Sequence, residues 1–112
     1  MKIYHNPRCR KSREGVQYLT DKKLNFEIFD YLKEGVSEDD IKSILKNLNM
    51  SAIEIVRKNE KIWKDNFKGK ELKEEEIISI LCEEPKLIER PIIVHKNKAV
   101  IGRPKENIDS LL

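Results

Sequence analysis

Residues 1–31 read MKIYHNPRCRKSREGVQYLTDKKLNFEIFDY, and the changes of periodicity inside this stretch decide the fold. Lys2 to His5 reads as a short strand, closed by Asn6-Pro7, a pair that favours a turn. From about Ser12 to Asp21, with a first turn that could begin nearer Arg10, Val16, Tyr18 and Leu19 give helical spacing that Leu24 continues. Phe26, Ile28, Phe29 and Tyr31 then form a run of aromatic and branched residues suited to a strand. Strand, helix and strand with short connections predict a βαβ unit with a right-handed crossover.

Outward from this unit, the middle of the chain reads as helical. Ser37 followed by Glu38-Asp39-Asp40 is a helix start with acids at the positive end of the dipole, and Ile41, Ile44, Leu45 and Leu48 supply its apolar face. A second helix is predicted over Ser51 to Arg57 and a third over about Lys73 to Glu83, stopped by Pro85. Lys58 to Lys70, with Trp63 and Phe67 among charges, reads as a connecting segment. Ile92 to His95, a turn at Lys96-Asn97-Lys98 and Ala99 to Ile101 read as a hairpin. Pro104 is placed in the first turn of a short last helix running through Ile108, Leu111 and Leu112. The order βαβ, helices, ββ, α predicts an α/β, thioredoxin-like mixed sheet with a helical insertion between its halves. A ferredoxin-like fold is the rival on pattern alone.

The chain has 112 residues, which fits a single domain spanning 1–112 and burying about 65% of its unfolded surface. Its 23 basic and 20 acidic residues leave a formal charge of +3, so nothing in the total asks for nucleic acid or an anionic membrane. No run of 18 apolar residues occurs, and the opening Met-Lys-Ile-Tyr-His does not resemble a signal peptide. A cytoplasmic protein with reduced thiols is expected. Two cysteines make neither a disulfide scaffold nor a zinc site by themselves, so no metal is expected. Of the 23 basic residues only six are Arg: Arg8, Arg10, Arg13, Arg57, Arg90 and Arg103.

Cys9 stands between the first strand and the first helix, where helix N–H groups favour a thiolate or a bound anion. Arg8, Arg10, Lys11 and Arg13 add local positive charge, and which of them face the sulfur is left open. Ser12, one turn on, has a hydroxyl that could donate to the sulfur or to an oxyanion. His5 is a candidate proton shuttle or a structural residue, and Asn6 a candidate brace for the loop. Cys82 shares helical spacing with Ile78 and Leu81, which suits a core thiol better than a partner for Cys9. Arg57, Arg90 and Arg103 stand in Val-Arg-Lys-Asn, Arg-Pro and Gly-Arg-Pro, and a guanidinium fork suits a tetrahedral oxyanion better than an ammonium does. Pro91 opens a strand, a position where a cis bond is plausible.

His5-Asn6-Pro7-Arg8-Cys9-Arg10-Lys11-Ser12-Arg13 resembles the His-Asn-Pro-x-Cys-x-x-Ser-Arg signature of the ArsC-type, glutaredoxin-coupled arsenate reductases. Arg57, Arg90 and Arg103 are similar in setting and order to that family's oxyanion-binding arginines. The resemblance implies that Cys9 attacks arsenate held by these three arginines. It implies further that a thiol such as glutathione then displaces the arsenic bond to Cys9 as co-substrate, and that glutaredoxin resolves the mixed species and releases arsenite. It places Ser12 with the substrate-binding residues, and His5, Asn6, Arg13 and Pro91 in support. It implies no bound cofactor, and a monomer. Small residues usual beside the family's cysteine are replaced here by Arg8, Arg10 and Lys11. Spx-type regulators share the fold but commonly carry Cys-x-x-Cys. Ser12 removes that switch, leaving a module that binds RNA polymerase as the alternative of another class. A monothiol thiol-disulfide oxidoreductase is a third reading.

Overall fold

A computed structural model describes residues 1–112. Strand β1 (Lys2–Tyr4) is followed by helix α1 (Arg10–Asp21) and strand β2 (Glu27–Phe29), and β2 pairs parallel with β1. Strands β3 (Ile92–His95) and β4 (Lys98–Ile101) form the hairpin, with β3 antiparallel to β1. The sheet order is β2-β1-β3-β4. Direct parallel pairing of β1 with β2 excludes the ferredoxin-like alternative, whose βαβ units are split by an intervening strand.

Strand alternation gives the sheet two buried faces. Ile3 and Ile93 look toward Leu19 of α1 and toward Ile108 and Leu111, which lie on a closing 3₁₀ segment, Lys105–Leu111. Tyr4 and Ile92 look the other way, into the larger core made by the insertion. That insertion contains α2 (Tyr31–Glu34), α3 (Glu38–Leu48), α4 (Lys61–Asn66) and α5 (Glu74–Glu83). α3 starts in a capping box: the Asp40 N–H donates to the Ser37 hydroxyl at 3.0 Å, and the Ser37 N–H donates to the Asp40 carboxylate at 3.2 Å. It ends at Asn49 in the left-handed conformation, φ 57°.

Several elements differ from the sequence reading. Tyr31 does not extend β2; Asp30 accepts from the Lys33 N–H and caps α2, which turns the chain off the sheet. Ser51 to Arg57 is not a full helix but a 3₁₀ turn at Ala52–Ile55, after which Val56 forms an isolated antiparallel bridge with Ile88. The supposed connector holds α4, because Trp63 is buried and gives the segment a tertiary anchor. Pro104 precedes the last segment rather than entering its first turn, and Arg103–Pro104 is cis, as is Arg90–Pro91.

No helix is long and apolar enough to cross a membrane.

Candidate active site

β1 and β2 are parallel neighbours, so their carboxyl ends open on the same edge of the sheet. This edge is where α/β sheets commonly place their chemistry. The His5 N–H donates to the Phe29 carbonyl at 2.9 Å, which carries the pairing one step past the strands. The loop from His5 to Cys9 is then folded back on itself. The Asn6 side chain accepts from the Arg8 N–H at 3.0 Å, and its carbonyl accepts from the Cys9 N–H at 3.0 Å. The Asn6 N–H donates to the Ser12 hydroxyl oxygen at 2.9 Å, and His5 Nδ1 shares a hydrogen bond of 2.6 Å with that same oxygen. Arg13 donates to the Pro7 carbonyl at 2.9 Å from outside the loop.

These bonds set Cys9 as the N-cap residue of α1. Its sulfur approaches the N–H groups of Ser12 and Lys11 without closing a full side-chain cap. Burial alone would push the thiol up. The Arg90 guanidinium beside the sulfur and the two N–H groups outweigh it, and the thiol lies below its usual range. Arg90 is in turn stabilised as a cation by the sulfur against its own burial. Burial, opposed by Asp30 and assisted by Arg13, holds His5 below its usual value, so neutral imidazole is favoured there.

The cation that acts on Cys9 is therefore remote in sequence. Arg10 and Lys11 turn toward Glu14, at 3.4 and 3.5 Å, and the Arg10 side chain is 84% exposed. Arg8 is exposed as well. The side-chain charge of none of the three is among the leading causes of the thiol's shift. Ser12 also differs from its expected part: the hydroxyl is fully buried and engaged with His5 and Asn6, so only its backbone N–H faces the sulfur. It is a brace of the loop.

Short-range devices set Arg57 and Arg90 near Tyr31 and Cys9, and fix the backbone of Arg103. The Arg57 N–H donates to the Leu87 carbonyl at 2.7 Å and the Glu89 N–H to the Ile55 carbonyl at 2.8 Å, so Arg57 and Arg90 ride on paired segments. Arg57 is held by Glu60 at 3.4 Å and Glu89 at 3.7 Å. Arg90 donates to the Lys86 carbonyl at 3.1 Å. Pro91 is buried with its ring against α1 at Gly15, where an added Cβ would lie 2.9 Å from Pro91 Cγ. The Gly102 N–H donates to the Pro91 carbonyl at 2.8 Å, which sets the backbone of Arg103 beside that of Arg90 and Pro91. The Arg103 side chain makes no hydrogen bond or ion pair within the chain.

Tyr31 belongs to this cluster and is absent from the sequence-based candidates. Its hydroxyl lies among Arg90, Cys9 and Arg57, and burial pushes its pKa up to about 12. The available signal was topological: Tyr31 follows the strand whose end adjoins the Cys9 loop. Cys82 stands apart, half-buried against the larger core, its thiol raised by burial and by Glu38, Asp40 and Glu83. No group of three or more His, Cys, Asp or Glu side chains is placed to hold a metal. A surface cleft of about 460 Å³, lined by Leu45, Met50 and Ile78 among others, includes none of these site residues. An activated thiol flanked by a guanidinium suits nucleophilic attack on a small anion held at the open edge.

A family model described as the ArsC family matches residues 4–111. The chain is 36% identical to a Haemophilus influenzae protein named arsenate reductase, over 98% of this chain and 97% of that one. It is 42% identical to the Escherichia coli (strain K12) protein named uncharacterized protein YfgD, over 96% of this chain and 92% of that one. The solved structure of arsenate reductase from Vibrio cholerae superimposes with a TM-score of 0.94 at 33% identity, covering 100% of this chain and 98% of that one.

Proposed function

This chain belongs to the ArsC family, and we propose that it reduces arsenate by a thiol-dependent route with Cys9 as nucleophile. The fold is that of the family's thioredoxin-like arsenate reductases, and the relatives support an arsenate-reductase-like, oxyanion-directed role. The observation that carries the reading is Cys9 at the N-terminus of α1 with its thiol lowered by Arg90. The Cys9 thiolate forms a bond to arsenic, and an arsenate hydroxyl takes up a proton and leaves as water. Arg57, Arg90 and Arg103 hold the remaining oxygens, where fixed guanidinium groups at a partly buried edge favour the charge of the transition state. Glutathione then supplies one thiol and glutaredoxin a second. The net change is arsenic acid plus two thiols giving arsenious acid, one disulfide and one water, so two electrons pass from sulfur to arsenic. The chain works as a monomer in the cytoplasm, where such thiols are kept reduced.

The test is arsenate-dependent turnover by purified protein with glutathione and glutaredoxin. Cys9→Ser abolishes it and Cys82→Ser leaves it, because only Cys9 is an activated thiol. Turnover that survives Cys9→Ser, or none in the wild-type chain, overturns the reading.

A further inference from the structure

Two buried side-chain nitrogen or oxygen atoms have no hydrogen-bond partner of good geometry: Tyr31 Oη and Arg90 Nε. Both lie at the Cys9 edge: the Arg90 guanidinium approaches the Tyr31 oxygen as a donor, which leaves the hydroxyl proton itself without an acceptor, and Cys9 and Arg57 are close by. Tyr31 is 1% exposed, so water does not readily satisfy its hydroxyl. Elsewhere the interior is well paired, and a buried hydroxyl without a partner is costly. A phenylalanine would fill the same place in the large core at no such cost. The hydroxyl is held at this edge by covalent succession from β2, by the Asp30 cap, and by packing of the ring into the core.

We propose that Tyr31 is a direct ligand of the oxyanion at Cys9, its hydroxyl donating a hydrogen bond to an anion oxygen alongside the arginines. The assignment rests on the oxyanion site of the proposed function and adds to it an uncharged donor. A phenol held in its neutral form keeps its proton over the working range, so it can donate beside a thiolate without adding negative charge. Tyr31 follows β2, while the Gly102–Arg103 backbone follows β4 at the opposite end of the strand order β2-β1-β3-β4. Pairing the hydroxyl on binding relieves its desolvation, which makes the contact count more toward anion affinity than toward folding.

The experiment uses Cys82→Ser protein, in which alkylation by iodoacetamide reads Cys9 alone, with arsenate and sulfate as protecting anions. Tyr31→Phe is expected to raise the concentration giving half-protection by roughly tenfold, the loss of one hydrogen bond to a charged group. Its melting temperature without anion stays unchanged or rises. Tyr18→Phe, whose hydroxyl instead donates to Asp109 at 2.6 Å, serves as the control and leaves protection unchanged. Equal protection in Tyr31→Phe and the parent overturns the assignment. A second readout needs no variant: the Tyr31 ¹³Cζ resonance moves on adding sulfate and that of Tyr18 does not, and an unmoved Tyr31 resonance sinks the proposal. The outcomes separate it from the reductase reading. Protection that depends on Tyr31 without arsenate turnover leaves the ligand role standing and removes the reductase. Turnover with no effect of Tyr31→Phe does the reverse. No protection of the parent by either anion removes both.

Discussion

At Cys9, the leading effect that lowers the thiol comes from a side chain 81 positions away in sequence, helped by two local backbone N–H groups, rather than from the charges of its neighbours. Arg10 and Lys11 have Glu14 within reach and water around them, so their charge is screened and partly neutralised before it reaches the sulfur. Arg90 is half-buried beside the sulfur, where the field is stronger. The pH dependence of Cys9 alkylation therefore distinguishes them. The wild-type midpoint lies below the ordinary thiol range, Arg90→Met moves it up, and Arg10→Ala leaves it in place. A midpoint that responds to Arg10→Ala and not to Arg90→Met contradicts this account. The sign for stability follows from the same shift. Thiolate is favoured more in the folded chain than in the unfolded one, so the contribution is present above the ordinary thiol pKa and fades as pH falls through the lower folded value. His5 shows the complementary case: a neutral ring is favoured by burial, and acidification below the ordinary histidine value of 6.5 works against the folded loop. The loop's motif was legible in the sequence. The division of labour within it was not, because hydroxyl and guanidinium directions depend on which partners folding supplies.

Among elements, the contact between α1 and the turn before β3 controls the site, since it fixes Pro91 and with it Arg90. Gly15 faces that contact from the middle of α1, and Gly102 faces it from the end of β4. Replacing Gly15 by Ala should help the isolated helix by about 1 kcal/mol. The added Cβ would, however, sit 2.9 Å from a ring carbon of buried Pro91, which has no rotamer to retreat into. Overpacking of this kind costs about 1–3 kcal/mol and is expected to win. Gly15→Ala thus lowers the urea midpoint and weakens arsenate turnover together; a variant as stable and active as the parent would show that Pro91 yields easily. Periodicity located α1, α3 and α5 because each has an apolar face along several turns. It missed α4 and α2, both too short to show a period, and both fixed by a single buried aromatic, Trp63 or Tyr31.

For the molecule as a whole, the near-neutral total charge conceals an uneven distribution. Lys covers the surface, while Cys9, Tyr31, Arg57 and Arg90 come together from separate segments of the chain. An anion bound there would tie those segments in the folded state only. Sulfate at 100 times its dissociation constant should add about 2.7 kcal/mol, a rise in melting temperature on the order of ten degrees for a domain of this size. Chloride at matched ionic strength should not reproduce it, and an equal rise in both salts would point to general screening instead. The sequence by itself determined the βαβ start, the hairpin, the insertion between them and the cysteine ahead of the first helix. Those features follow from local periodicity and from the chemistry of a cysteine ahead of a helix. Tertiary structure decided which cation activates the thiol, that Ser12 braces the loop, and that Tyr31 reaches the site. Each depends on contacts between residues far apart in the chain, set by sheet register and by close packing around Pro91, and no local pattern encodes such distances.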